Sequence, residues 1–141
     1  MPFTVRPHHR ILLLLLLTVL MLGVGPVYAE WVQVPDPLGT GTATYLDAGM
    51  IPHKGDMRKV WTLTDFKTVQ KVAGNSFMSI ERQIENDCRG RRTRVLRSSA
   101  FSGNMGHGEV VYTSSETQEW VPVERGSVGE FLFGLACGIE P

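Results

Sequence analysis

Cysteine is nearly absent from this chain: Cys88 and Cys137 are the only two in 141 residues. There is no C-x-x-C, so thioredoxin-like redox chemistry is excluded. Excess charge is absent too, with 14 basic and 14 acidic residues in the full chain, which argues against a general nucleic-acid binder. Histidine is sparse. Beyond the N-terminal stretch only His53 and His107 occur, each in a glycine-containing loop, with no H-x-x-x-H and no acidic cluster beside them. A metal centre needs three or four converging ligands, so no metal is expected. Met105 and His107 are haem-ligand types, but one of each in a glycine loop is too common to carry a haem assignment, and no cofactor is expected. No G-x-S-x-G appears. Gly103 to Gly108 is glycine-rich but does not open a helix after a strand, so it is not a phosphate cradle. No enzyme is expected, and no internal repeat or low-complexity segment follows the N-terminal region.

What is present begins with an address. Arg6, His8, His9 and Arg10 form a basic stretch, Ile11 to Leu22 is an apolar run of mostly leucine, and Val27-Tyr28-Ala29 follows. This pattern is that of a secretory signal peptide over residues 1–29 with cleavage after Ala29. The apolar run is too short for a bilayer core, which needs about 20 residues, so no integral membrane segment is expected after cleavage. No cysteine lies near the cleavage point, and an N-terminal lipid anchor is not available there. The expected destination is the periplasm or the medium. The domain is then residues 30–141. Losing Arg6 and Arg10 leaves twelve basic against fourteen acidic residues, a net charge of −2. In an oxidising compartment two cysteines are most simply a disulfide, and Cys88 with Cys137 is the one intramolecular pairing available.

The expected architecture is α+β: a single antiparallel sheet of about six strands with one C-terminal helix packed on one face and a strand–helix disulfide. Strands are expected at Trp31 to Val34, Thr42 to Asp47, Met57 to Thr64, Ser76 to Cys88, Arg92 to Phe101 and Glu109 to Ser114. Lys67 to Asn75 reads as a polar connector ending in a Gly74-Asn75 turn, and Trp120 to Val123 as an extended linker. The last strands should form a meander of antiparallel neighbours. In Ser76 to Cys88, the even positions Met78, Ile80, Ile84 and Cys88 alternate with Glu81, Gln83, Glu85 and Asp87, the period of a half-buried strand. Arg82 and Asn86 interrupt the apolar face. Ser127-Val128-Gly129-Glu130 is a capping box, with Ser127 and Glu130 as the helix-cap residues. Val128, Phe131, Leu132, Leu135 and Ala136 trace an amphipathic stripe, Cys137 borders it, and Gly138 suits the residue just past the end.

The densest positive charge is Arg89, Arg91, Arg92, Arg94 and Arg97. On an unbroken strand Arg89, Arg91 and Arg97 share parity with Val95, and Arg92 and Arg94 share the other face. Two readings stand. The run is a solvated strand face paired across to Glu81, Glu85 or Asp87, or it is an anion- and partner-binding patch for a sulfated glycan, a lipopolysaccharide phosphate or an acidic host protein. Trp31, Trp61 and Trp120 read as core or edge packing.

In order along the chain come Trp31, Tyr45-Leu46-Asp47, Val60-Trp61-Thr62-Leu63, Ser79 ahead of Asn86-Asp87-Cys88, Arg92-Thr93-Arg94-Val95-Leu96, Phe101-Ser102, Met105-Gly106 and Gly108. Trp120-Val121-Pro122-Val123, Gly126-Ser127 and Leu135-Ala136-Cys137 complete the set. This ordered set resembles the surface-adhesin protein E family of small exported bacterial domains. The resemblance implies an antiparallel sheet of about six strands, a C-terminal helix, a strand–helix disulfide, a homodimer, and adhesion to host proteins in some members. The function expected is an exported non-enzymatic binding module acting on host or acidic macromolecules through the arginine-rich strand. The alternative is a soluble periplasmic accessory protein that pairs with another envelope protein through a sheet edge.

Overall fold

The computed structural model describes residues 29–36, 39–50 and 55–139. The signal-peptide expectation (Ala29 apart) and the His53 loop lie outside the described residues. Seven strands form one antiparallel sheet: β1 (Trp31–Val34), β2 (Ala43–Asp47), β3 (Met57–Val72), β4 (Asn75–Asp87), β5 (Arg92–Phe101), β6 (Val110–Ser114) and β7 (Val121–Pro122). β1 to β6 follow one another in space as in sequence, and β7 pairs with the outer end of β5. The helix α1 (Val128–Cys137) closes the chain.

The third strand is longer than its composition suggests. It continues past Thr64, through the expected connector, to Val72. The register with β4 shifts between Asp65 and Gln70 and then resumes, so that Val72 faces Asn75 across a two-residue turn. Ala73 and Gly74 both have positive φ, 47° and 80°, the turn geometry that matches strand twist in tight hairpins. Packing holds the polar segment in the sheet. Phe66 sets its ring edge-on to Phe77 at 5.6 Å, and Phe66 and Val72 pack against the buried trio Phe77, Ile80 and Ala100.

A second irregularity re-aims the arginines. Gln83 faces Arg97, yet Ile84 faces Val95, leaving Leu96 as the extra residue of a bulge. Arg97 therefore lies on the face of Arg92 and Arg94, opposite Val95. The parity expected for an unbroken strand fails at this one residue.

The helix covers one face. Ala136, with Val128, Phe131 and Leu132, packs on Val34, Leu46, Val60 and Ile84. Cys88, just past β4, is bonded to Cys137 with Cα atoms 5.6 Å apart. Four of the five expected stripe residues face inward, and Leu135 is the exception. Phe133 is 2% exposed and Leu135 is 38% exposed, so Phe133 takes the inward place expected of Leu135. At the start, the Ser127 hydroxyl oxygen accepts from the Glu130 amide at 3.1 Å. The Glu130 carboxylate reaches back to the Gly126 amide at 2.8 Å, one residue earlier than a standard box. At the end, Gly138 is left-handed and the Ile139 amide donates to the Gly134 carbonyl at 2.9 Å. A Cβ on Gly134 would stand 2.9 Å from the Ile139 oxygen, which is why this helix tolerates a glycine there. Arg58 completes the cap by donating to the Ala136 carbonyl at 3.0 Å.

Among the described residues the opposite face carries no α-helix. The short turn Asn104–Gly106 folds onto its middle instead. The Asp65 carboxylate accepts from the Met105 amide at 2.8 Å and from the Asn104 side chain at 3.1 Å. The buried Ser79 hydroxyl donates to the Gly103 carbonyl at 2.6 Å and accepts from the Gly106 amide at 2.9 Å. Met105 holds a positive φ of 54° without being glycine, a cost of about 1–3 kcal/mol that these bonds must offset.

Candidate functional site: the arginine edge

β5 and the turn before it carry the five arginines, with Arg92, Arg94 and Arg97 on the face away from the helix and Arg91 reaching the helix itself, and four of the five meet carboxylates. Arg89 bridges to Asp56 at 2.9 Å, Arg91 to Glu130 at 3.2 Å, Arg92 to Asp87 at 2.8 Å and Arg94 to Glu85 at 2.7 Å. The Arg92 and Arg94 pairs are directly cross-strand, as the register Asp87–Arg92 and Glu85–Arg94 requires. Arg97 makes no ion pair among the described residues and faces Gln83. Glu81, the third carboxylate weighed as a partner, makes no ion pair with any of the five among the described residues.

These pairs differ in weight. Glu85 is 7% exposed, and both Nε and Nη2 of Arg94 converge on its Oε2, with Lys59 more distant at 3.9 Å. Arg89, with 84% of its side chain exposed, gains little from its bridge, because water screens both charges. Asp87 accepts from the Gly90 amide at 2.9 Å and from Arg92 Nε at 2.8 Å. These two bonds, the backbone one foremost, hold its carboxyl below the usual carboxylate range.

Trp120 packs at a sheet edge, one of the places expected of it, and its partners there are arginines. The segment before and through β7 runs along the outer edge of β5, with the Gln118 amide donating to Val95 at 2.8 Å and the Val123 amide to Arg91 at 3.1 Å. This path sets the Trp120 ring against Arg92 at 4.8 Å and Arg94 at 4.3 Å. Arg91 lies over Phe133 at 5.7 Å. Indole and guanidinium attract through the ring quadrupole. The sequence signal was the spacing of Trp120 one residue before the β-prone Val121-Pro122-Val123, but nothing local said which strand it would join. Arg92 uses only Nε among the described residues, so its two terminal nitrogens keep donors without a protein partner there.

Other candidates stay apart. His107 is exposed in the loop beside β6. Among the described residues no group of three His, Cys, Asp or Glu could hold a metal ion. The arrangement offers planar donors, one unpaired cation and an aromatic ring on a rigid strand, the chemistry of recognition.

The family model described as surface-adhesin protein E matches residues 31–138. The chain belongs to the surface-adhesin protein E family. Two crystal structures of Haemophilus influenzae protein E share the fold. One, crystal form II, has a TM-score of 0.59 at 8% identity, covering 80% of this chain and 91% of that one. The other, from a non-typeable strain, has a TM-score of 0.55 at 9% identity over 82% and 80%. No curated protein matches. Identity this low speaks for the fold alone, and it is the family match that makes this chain an adhesin-like surface protein. Among the described residues no helix is long and apolar enough to cross a membrane.

Proposed function

We propose that this family member is an exported, non-enzymatic binding module that engages acidic macromolecules on the face formed by Arg92, Arg94, Arg97 and Trp120. The observation that carries this reading is the stack of Arg92 and Arg94 on Trp120 beside the unpaired Arg97. The indole orients two guanidinium planes, which lowers the entropy lost when an anion binds. The local charge balance is modest. On that face Arg92, Arg94, Arg97 and Lys59 stand against Glu81, Glu85 and Asp87, so it attracts a strong polyanion such as a sulfated glycan or an acidic host protein, not every anion.

The test is retention on immobilised heparin in a salt gradient. Arg92→Gln with Arg97→Gln should elute at clearly lower salt than the unmodified protein, while Arg89→Gln should elute with it. Unchanged elution of the double variant would rule the face out. Arg94 is left intact, because its loss would strand buried Glu85.

A second reading rests on the sheet edges. β1 and β6 each pair on one side only, and Val32 and Val110 are 44% and 56% exposed. Such edges take up another strand readily, from an envelope partner or from a second copy. Cross-linking in the native periplasm, with a proline at Val32 as the disrupting variant, distinguishes this from the polyanion reading.

A further inference from the structure

The face without the helix holds a feature that the arginine edge does not use. A cavity of about 250 Å³ is lined by Ala29, Trp31, Asp47, Trp61 and Glu81. Register brings these distant residues together. Trp31 lies directly across from Asp47. Trp61 and Leu63 are same-face neighbours on β3, and Leu63 lies across from Glu81. Two indoles and two carboxylates thus share one concavity, and no basic side chain lines it. On that face Lys59 reaches Glu85, and Arg97 lies across from Gln83.

The carboxylates are committed only in part. Asp47 is 5% exposed. Its Oδ1 accepts from the Gly49 amide at 3.1 Å, and no donor reaches Oδ2 among the described residues. Glu81 has neither a hydrogen-bond nor an ion-pair partner among them, and burial pushes its carboxyl up. The overlying loop leaves it room, since a Cβ on Gly106 would stand 2.8 Å from Glu81 Oε1. A half-buried acid with no partner, facing tryptophans and a second acid, is a poor way to build a core and a good way to hold a cation.

We propose that this cavity binds a primary alkylammonium group, held by the indoles of Trp31 and Trp61 and the carboxylates of Asp47 and Glu81. Two sources can present that chemistry. One is a lysine side chain of a partner. The other is the chain's own α-amino group, because cleavage after Ala29 would remove that lining residue and create the amino group on Glu30, beside Trp31. Glu30 is already pinned there, its carbonyl accepting from the Ala48 amide at 3.1 Å. This site shares no residue with the arginine edge and has the opposite charge, so either can fail without the other.

The test follows the tryptophan indole N–H resonances of the exported, processed protein while Nα-acetyl-lysine amide is added, with methyl glucoside as the neutral control. The expected result is saturable shifts of the Trp31 and Trp61 signals with the amine alone, weakened about tenfold in Glu81→Gln. If the processed terminus is the occupant, the amine shifts nothing until that terminus is acetylated. The Glu30 α-amino group then titrates above its ordinary range of about 7.7–8.0 and returns to it in Glu81→Gln. Thermal melts verify that Glu81→Gln folds, and Trp61→Leu serves as a second variant expected to weaken the same response. The site is refuted if the amine produces no saturable shift and the terminus titrates normally. Indifference of either readout to Glu81→Gln, or an indole response to the glucoside, refutes it equally.

Discussion

Removing the bridge between Cys88 and Cys137 is the perturbation most directly tied to how this domain stays folded. The two residues are separated by 49 positions, and for a loop of that size the chain-entropy relation gives about 4 kcal/mol. Typical domains have about 5–15 kcal/mol in total, so the bridge supplies a large share. The helix it tethers has little reserve of its own. It spans ten residues, a length marginal in isolation, and its two glycines each cost about 1 kcal/mol relative to alanine. Its inward anchors are Phe133 and Ala136. A loss of about 4 kcal/mol should lower the melting midpoint by roughly 15 °C for a domain of this size. The assay is thermal and guanidinium unfolding of Cys88→Ala/Cys137→Ala, followed by circular dichroism and tryptophan fluorescence, with the reduced unmodified protein alongside. A fall of less than about 5 °C would refute the reasoning, because the sheet would then hold the helix by packing alone.

Phe133→Ala should cost about 3–4 kcal/mol in urea unfolding, since a fully buried aromatic leaves a cavity that a covalently tethered helix cannot collapse into; a cost below about 1 kcal/mol would mean that the helix does not pack as described. Arg94→Ala should cost about 2 kcal/mol by leaving buried Glu85 with only the distant Lys59, whereas Arg89→Ala, with its exposed bridge, should stay within about 0.5 kcal/mol; equal costs would contradict the difference in burial. Ser127→Ala should cost about 1 kcal/mol by exposing the Glu130 amide, measured in the same way. In acid, two carboxyls should act with opposite signs. Asp87 has a depressed folded value, so its contribution is present above its ordinary 3.8 and is lost as the pH falls through the lower folded one. Glu81 has a raised folded value, so its ionisation costs stability above that value and nothing below its ordinary 4.5. Denaturation midpoints from neutral to acidic pH should therefore show Asp87→Asn losing its deficit in acid and Glu81→Gln gaining only toward neutral pH. A Glu81→Gln gain confined to acid would reverse the sign and refute the assignment.

Sequence alone determined the features that travel with a few adjacent residues. Period-two alternation marked Ser76 to Cys88, Ser127 with Glu130 marked where the helix starts, Gly138 marked where it stops, and two cysteines left a single bridge to form. These signals need no distant partner, because caps, turns and strand faces follow from local stereochemistry. The tertiary structure alone decided what depends on register. Phe77 drew Phe66 and Val72 into a strand whose composition reads as a connector. The extra Leu96 turned Arg97 to the face of Arg92 and Arg94. Packing on the sheet put Phe133 inward and left Leu135 exposed. Trp120 found its arginines, and Trp31, Trp61, Asp47 and Glu81 found one another, only when four separate segments came into line. A single-residue slip exchanges one face of a strand for the other, and which alignment wins is settled by the sum of contacts across the sheet, a quantity that no short stretch of chain contains.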